Sequence, residues 1–159
     1  MMEGPDLVEV VARTDFPVDG DDATGFLAQW VLSLRLHPAL QALFLGGVTI
    51  AGLGVVDLEA LHRRVGVPVL AVNRRDPRNH RVGDALRAAG LEERIDILER
   101  TPPAVRVDAH LTVAGAGIEP EEAIALVRAS RQKSEVPEPL RLAHMVARAI
   151  VRGESRGRA

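Results

Sequence analysis

No cysteine occurs anywhere in the chain, which removes disulfides and thiolate metal sites from consideration and fits a reducing interior. No apolar run approaches the roughly 18 to 20 residues that a membrane span needs. The acidic amino terminus does not look like a secretory signal, so the expectation is a cytoplasmic protein with no membrane partner. Lysine is almost missing: Lys133 is the only one. The cationic surface is therefore arginine, a bias that a GC-rich coding sequence explains as well as phosphate recognition does. There is no internal repeat and no low-complexity segment. With 159 residues and 47% hydrophobic content, the chain has the material for one domain with its own core.

A net charge of −2 makes no overall electrostatic case for nucleic acid, but the charges are unevenly placed. Glu3, Asp6, Glu9, Asp15, Asp19, Asp21 and Asp22 make the start acidic. Arg74, Arg75, Arg78, His80 and Arg81 form a basic cluster, and Arg152, Arg156 and Arg158 make the end basic. Such clusters neutralise phosphates in some proteins and are solvated faces in more.

In chain order, Leu7 to Ala12 reads as a strand and Asp15 to Asp22 as a turn. Asp21 or Asp22 is placed to cap a helix whose apolar positions Phe26, Leu27, Trp30, Val31 and Leu34 follow the 3.6-residue period, with Pro38 ending it. Ala42 to Leu45 is a short buried strand, and a helix from about Val55 to Val65 stops at Gly66. Pro68 to Val72 is a second strand, parallel to its predecessor. Arg78 to Ala89 and Glu92 to Glu99 look helical. Val105 to Val107 and Leu111 to Ala114 are short strands about a turn at Asp108 and Ala109. Glu121 to Arg131 is a helix, and Pro139 starts the last one, with Leu140, Ala143, Val146 and Ala147 as its packing stripe.

The stretch Leu43 to Asp57 leads from a strand through glycines toward a helix, the place where open α/β sheets usually bind ligands. Gly52 and Gly54 allow close backbone approach or positive φ. Thr49 and Asp57 are the polar side chains offered there.

Gly47-Val48-Thr49-Ile50-Ala51-Gly52-Leu53-Gly54-Val55-Val56-Asp57 resembles the signature of a mainly archaeal family, domain of unknown function ninety-nine, which is distantly similar to endonuclease V. Val18 to Thr24, Pro137 to His144 and Gly153 to Ala159 agree with three further blocks of that family. The resemblance implies an α/β fold with a ribonuclease H-like mixed sheet and flanking helices. Its first two strands are missing here, if Leu7 to Ala12 is the third. Sheet-edge repair then calls for Leu7 to Ala12 to move beside Ala42 to Leu45, or for pairing with a second copy in a homo-oligomer.

Nucleases of this type hold magnesium or manganese on carboxylates. The ones available are Asp19, Asp22 and Asp57, with Asp21, Glu138 and Glu154 as lesser candidates. Gly46 and Gly54 stand where the family usually has Asp and Asn. Asp57 has a plain alternative as a first-turn helix carboxylate, and Asp19 to Asp22 have one as turn and cap residues. Substrate contacts are expected from Thr49, Gly52, Gly54, Arg141, His144, Glu154, Ser155, Arg156 and Arg158, although a packed position is the commoner role for a lone histidine such as His144. The expectation is a nucleic-acid-binding or nucleotide-binding protein with metal-dependent phosphodiester hydrolysis weak or lost. The alternatives are a small-molecule or phosphate-binding α/β domain, with the anion at a helix amino terminus, and a protein interaction module.

Overall fold

The computed structural model describes residues 1–74 and 80–155. Its elements in chain order are β1 (Met2–Glu3), β2 (Leu7–Val8), α1 (Ala23–Ser33), β3 (Leu43–Leu45), β4 (Thr49–Ile50), β5 (Gly54–Val55), α2 (Leu58–Val65), β6 (Val69–Asn73), α3 (His80–Ala88), α4 (Ile95–Glu99), β7 (Val105–Arg106), β8 (Thr112–Ala116), α5 (Pro120–Ala129) and α6 (Glu138–Arg152).

The main sheet has the order β3-β6-β8-β7 and is mixed. β3 runs parallel to β6, with Phe44 opposite Leu70. β8 is antiparallel to both β6 and β7. Strand β6 explains its own sequence. Val69 and Ala71 pack with α1 and α2 on one face, where Leu27, Val31, Leu58, Leu61 and Val65 are buried. Leu70 and Val72 pack on the other with Val107, Val113 and Val127 of the β7 to α5 region, and Leu140 of α6 joins them. A strand covered on both faces needs an unbroken apolar run, and Val-Leu-Ala-Val supplies it. Leu58, Leu61 and Leu70 are almost fully excluded from solvent, each contributing about 1.5–3 kcal/mol by burial.

Helix ends follow local chemistry. The Asp22 carboxylate accepts the Gly25 amide at 2.8 Å, and that of Asp57 accepts the Ala60 amide, also at 2.8 Å; both are N-caps. Gly66 closes α2 with φ 74°, a left-handed value that costs glycine little. The Asp108 carboxylate accepts the amides of His110 and Leu111 and makes the β7–β8 turn. Those amides hold its pKa below the usual carboxylate range, aided by Arg131, whose Nη2 is 2.7 Å away.

Several sequence expectations are corrected. Leu7 to Ala12 does not join the main sheet: only Leu7–Val8 is a strand, paired with Met2–Glu3 in a separate hairpin. The stretch is too rich in exposed positions to serve as an inner strand. Among the described residues no strand lies beyond β3. The expected parallel pairing of Pro68 to Val72 with Ala42 to Leu45 is present as β6 and β3, in a sheet that is mixed, as expected, and whose β7–β8 pair is antiparallel because a tight turn joins them. Helix α1 ends at Ser33, with Leu34 as its C-cap, before Pro38, which sits in a separate 3-10 turn.

On α6, Ala143 and Ala147 are exposed, while Glu138 and Arg141 are buried. The pair displaces the expected apolar stripe because each satisfies the other. Arg141 Nε donates to Glu138 Oε2 at 2.8 Å, and Nη2 donates to Oε1. These bonds keep the Glu138 pKa below its ordinary value and raise that of Arg141. Among the described residues no helix is long and apolar enough to cross a membrane.

Candidate functional site: the glycine hairpin at the sheet's carboxyl edge

Between β3 and α2 the chain does not pass straight into the helix, as its sequence suggests. It first folds back as the antiparallel pair β4–β5, with Thr49 opposite Val55 and Ile50 opposite Gly54. Val55 and Val56 therefore belong to the hairpin, and α2 starts only at Leu58. The reversal is made by Ala51 at φ 44° and Gly52 at φ 95°.

The loop before α1 holds this hairpin. The Asp19 amide donates to the Ala51 carbonyl at 2.9 Å, and the Asp19 carboxylate accepts the Leu53 amide at 2.7 Å. Asp19 itself has φ 54°. From the other side, the buried Arg94 donates through Nη1 to the Leu53 carbonyl at 2.9 Å and through Nη2 to Asp21 Oδ1 at 2.5 Å. Behind the hairpin Phe16 stacks on Phe26 with centroids 4.8 Å apart.

Two glycines here differ sharply. A Cβ on Gly54 would stand 2.9 Å from the Ile50 carbonyl oxygen and 3.0 Å from Phe16 Cε1; a Cβ on Gly46 would meet nothing within 4 Å. Gly54 is thus a packing residue, whereas position 46 is open to a side chain.

At the carboxyl end of the parallel pair, Gly47 passes close to Asn73, whose Oδ1 would lie 3.1 Å from a Cβ at position 47. The Val56 amide donates to the Val48 carbonyl at 2.8 Å, the Asp57 amide donates to Thr24 Oγ1 at 2.9 Å, and Asp57 Oδ2 lies 3.5 Å from Arg100 Nη2. Thr49, Asn73, exposed Arg74 and exposed Arg100 flank this edge.

Each expected metal carboxylate has a local partner. Asp19 accepts from Leu53, Asp22 from Gly25 and Asp57 from Ala60. Among the described residues no three His, Asp or Glu side chains gather as a metal would require. One oxygen of each carboxylate is engaged in this way, and no ready-made cluster of donors for magnesium or manganese stands among the described residues. Nor does the start of α2 suit an external anion, because the Asp57 carboxylate already occupies it.

Of the expected substrate contacts, Thr49, Gly52 and Gly54 lie in the hairpin. Arg141 is buried and bonded within its own helix, to Glu138 and to Met145 Sδ at 2.8 Å. His144 is exposed rather than packed, because its stretch of α6 faces solvent. Glu154 is exposed and Ser155 half-buried, both just beyond α6. Arg156 and Arg158 lie outside the described residues, as do Arg75 and Arg78 of the basic cluster.

The residues that sequence reading missed are Arg94, Phe16, Thr24, Asn73 and Arg100. Arg94 alone carried a signal. It falls three residues after Leu91 and four before Leu98, on the apolar face of its segment, where a buried arginine needs partners.

The family described as Endonuclease dU matches residues 1–151. A UPF0215 protein of Methanothermobacter thermautotrophicus is 38% identical over 163 residues, spanning 100% of this chain and 80% of that protein. One of Thermococcus kodakarensis is 40% identical over 154 residues, covering 95% of this chain and 78% of the other. Among solved structures, a crystal structure of a protein of unknown function from Archaeoglobus fulgidus superposes with TM-score 0.82 and 35% identity, over 88% of this chain and 81% of that one.

Proposed function

Since the chain belongs to the Endonuclease dU family, we propose that it binds nucleic acid at the carboxyl edge of β3 and β6 and hydrolyses phosphodiesters weakly or not at all. The family relation supports the nucleic-acid ligand. The observation that supports the second half is that no three His, Asp or Glu side chains gather among the described residues, while one oxygen of each of Asp19, Asp22 and Asp57 already accepts a backbone amide. We take the sheet as a contracted ribonuclease H-like one, a view supported by the parallel β3–β6 pair with helices on both faces. The antiparallel β8 beside β6 departs from the plain form of that sheet.

Charge decides which groups meet the ligand. Asp19, Asp21 and Asp22 are all exposed near the start of α1 and repel phosphate. Thr49, Asn73, Arg74 and Arg100 form the proposed contact surface. Among the described residues Arg100 has the long 3.5 Å contact with Asp57 as its ion pair, so a phosphate oxygen competes well for its guanidinium.

The test uses labelled single-stranded and duplex oligonucleotides, with and without one deoxyuridine. Anisotropy is measured across a salt series, and a denaturing gel is run in magnesium or manganese beside EDTA and Asp57→Asn. Binding should weaken steeply with salt, and Arg100→Gln should lower the log–log salt slope by about 1. Absence of binding by the folded protein would refute the ligand assignment. Rapid metal-dependent cleavage that Asp57→Asn abolishes would refute weak hydrolysis.

A further inference from the structure

The amino-terminal arm and α6 carry opposite charge, and both expose large apolar side chains. On the arm Leu7 is 55%, Val8 45% and Val11 60% exposed. Glu3 stands opposite Leu7 in the β1–β2 hairpin and so shares its face, with exposed Glu9 beyond. The only cationic side chain before α1 is Arg13, which is paired with Asp15 at 2.9 Å. On α6, His144, Arg148 and Arg152 fall at four-residue spacing on one exposed stripe. Beside it Val151 is 81% exposed. The helix's one acidic residue, Glu138, is buried against Arg141. Among the described residues neither Arg148 nor Arg152 makes an ion pair.

We propose that these two surfaces are halves of one isologous interface, in which the arm of each copy of this chain lies on α6 of the other. The lengths agree. Residues 144 to 152 rise about 12 Å along a helix, and a segment the length of Leu7 to Val11 spans about 13 Å when fully extended. The arm is shaped before it docks: the Met1 ammonium donates to the Val10 carbonyl at 2.6 Å, and Gln132 anchors Asp6 at 2.5 Å. A two-fold arrangement joins acid to base twice and covers Val151 together with the arm's apolar side chains. A nucleic acid on α6 would leave the arm's apolar side chains in water and meet repulsion from its carboxylates.

The test is sedimentation velocity on the whole protein and on two charge-reversed forms, one with Glu3→Lys and Glu9→Lys, the other with Arg148→Glu and Arg152→Glu. Circular dichroism checks that each is folded. The natural chain should sediment as a dimer and each reversed form as a monomer. An equal mixture of the two forms should restore the dimer, because every contact then joins opposite charges. A monomeric natural chain, a dimer indifferent to the reversals, or a mixture that stays monomeric would overturn the proposal. So would loss of oligonucleotide binding by the α6 form without any change in mass, which would mark α6 as a nucleic-acid surface.

Discussion

Gly54 and Gly46 should respond to the same substitution with opposite sign. Neither has positive φ, so adding a methyl group tests space rather than backbone strain. At position 54 the new Cβ stands 2.9 Å from the Ile50 carbonyl oxygen, 3.0 Å from Phe16 Cε1 and 3.4 Å from Ala23 Cβ. Phe16 is held by Phe26, and the carbonyl belongs to the residue paired with Gly54 in the hairpin. Neither neighbour moves without disturbing the turn. Overpacking of this kind costs about 1–3 kcal/mol, equivalent to a fall in Tm of roughly 2 to 12 °C for a domain of this size.

At position 46 the methyl group enters open space. Gly46→Ala then acts through the unfolded chain alone and should stabilise by about 0.4–1 kcal/mol, a rise of roughly 1 to 4 °C. Urea and thermal unfolding of the two variants, measured side by side, give the comparison. Gly54→Ala as stable as the natural chain, or Gly46→Ala less stable by more than about 1 kcal/mol, would refute the account of the hairpin as packed at one glycine and free at the other.

Arg94→Met removes charged hydrogen bonds to Leu53 and Asp21, each contributing about 1.5–3 kcal/mol. Amide exchange at 49–55 should accelerate more than exchange in β6 or β8. Asp57→Ala loses the cap of α2 and should cost about 0.5–2 kcal/mol in denaturant unfolding, whereas Asp57→Asn should stay close to the natural chain because asparagine also caps. Glu138→Gln strands the buried Arg141 charge at a cost of about 3–5 kcal/mol, and adding Arg141→Met should recover much of it. The pKa values of Glu138 and Asp108 are both depressed in the folded state. Their contribution is complete above the unfolded carboxylate values near about 4 and disappears as pH falls through the lower folded values. The urea midpoint should drop on acidification, and Glu138→Gln with Asp108→Asn should flatten that drop.

The parts of the fold written in local chemistry were legible. The helix cap at Asp22, the stop at Gly66, the Asp108 turn and the unbroken apolar run of β6 all follow from neighbours a few residues apart; Asp57 was placed inside the helix that it in fact caps. The β4–β5 hairpin was not, because Val55 and Val56 fit the period of the following helix as well as they fit a strand. Its supports lie far off in the chain, at Asp19, Phe16 and Arg94. The arm was misread for a related reason: valines favour extended chain, but no local signal says whether a sheet will accept it. At the site, residue types near the glycines were readable, yet only folding reveals that an aspartate's oxygen already has an amide to hold.

Ala51 carries a backbone strain of its own. It is the non-glycine left-handed residue without a side-chain oxygen, in a conformation that costs roughly 1–2 kcal/mol for such a residue. Asp19 and Asp22 adopt left-handed values too, but each has a carboxylate bonded to a nearby amide. Against that strain stand Ile50, packed on the core beneath α1 and α2, and Val56 within it. The hairpin is therefore a spring clamped at Leu53, whose amide Asp19 accepts and whose carbonyl Arg94 holds, and it stays closed because packing and these two bonds outweigh one strained residue.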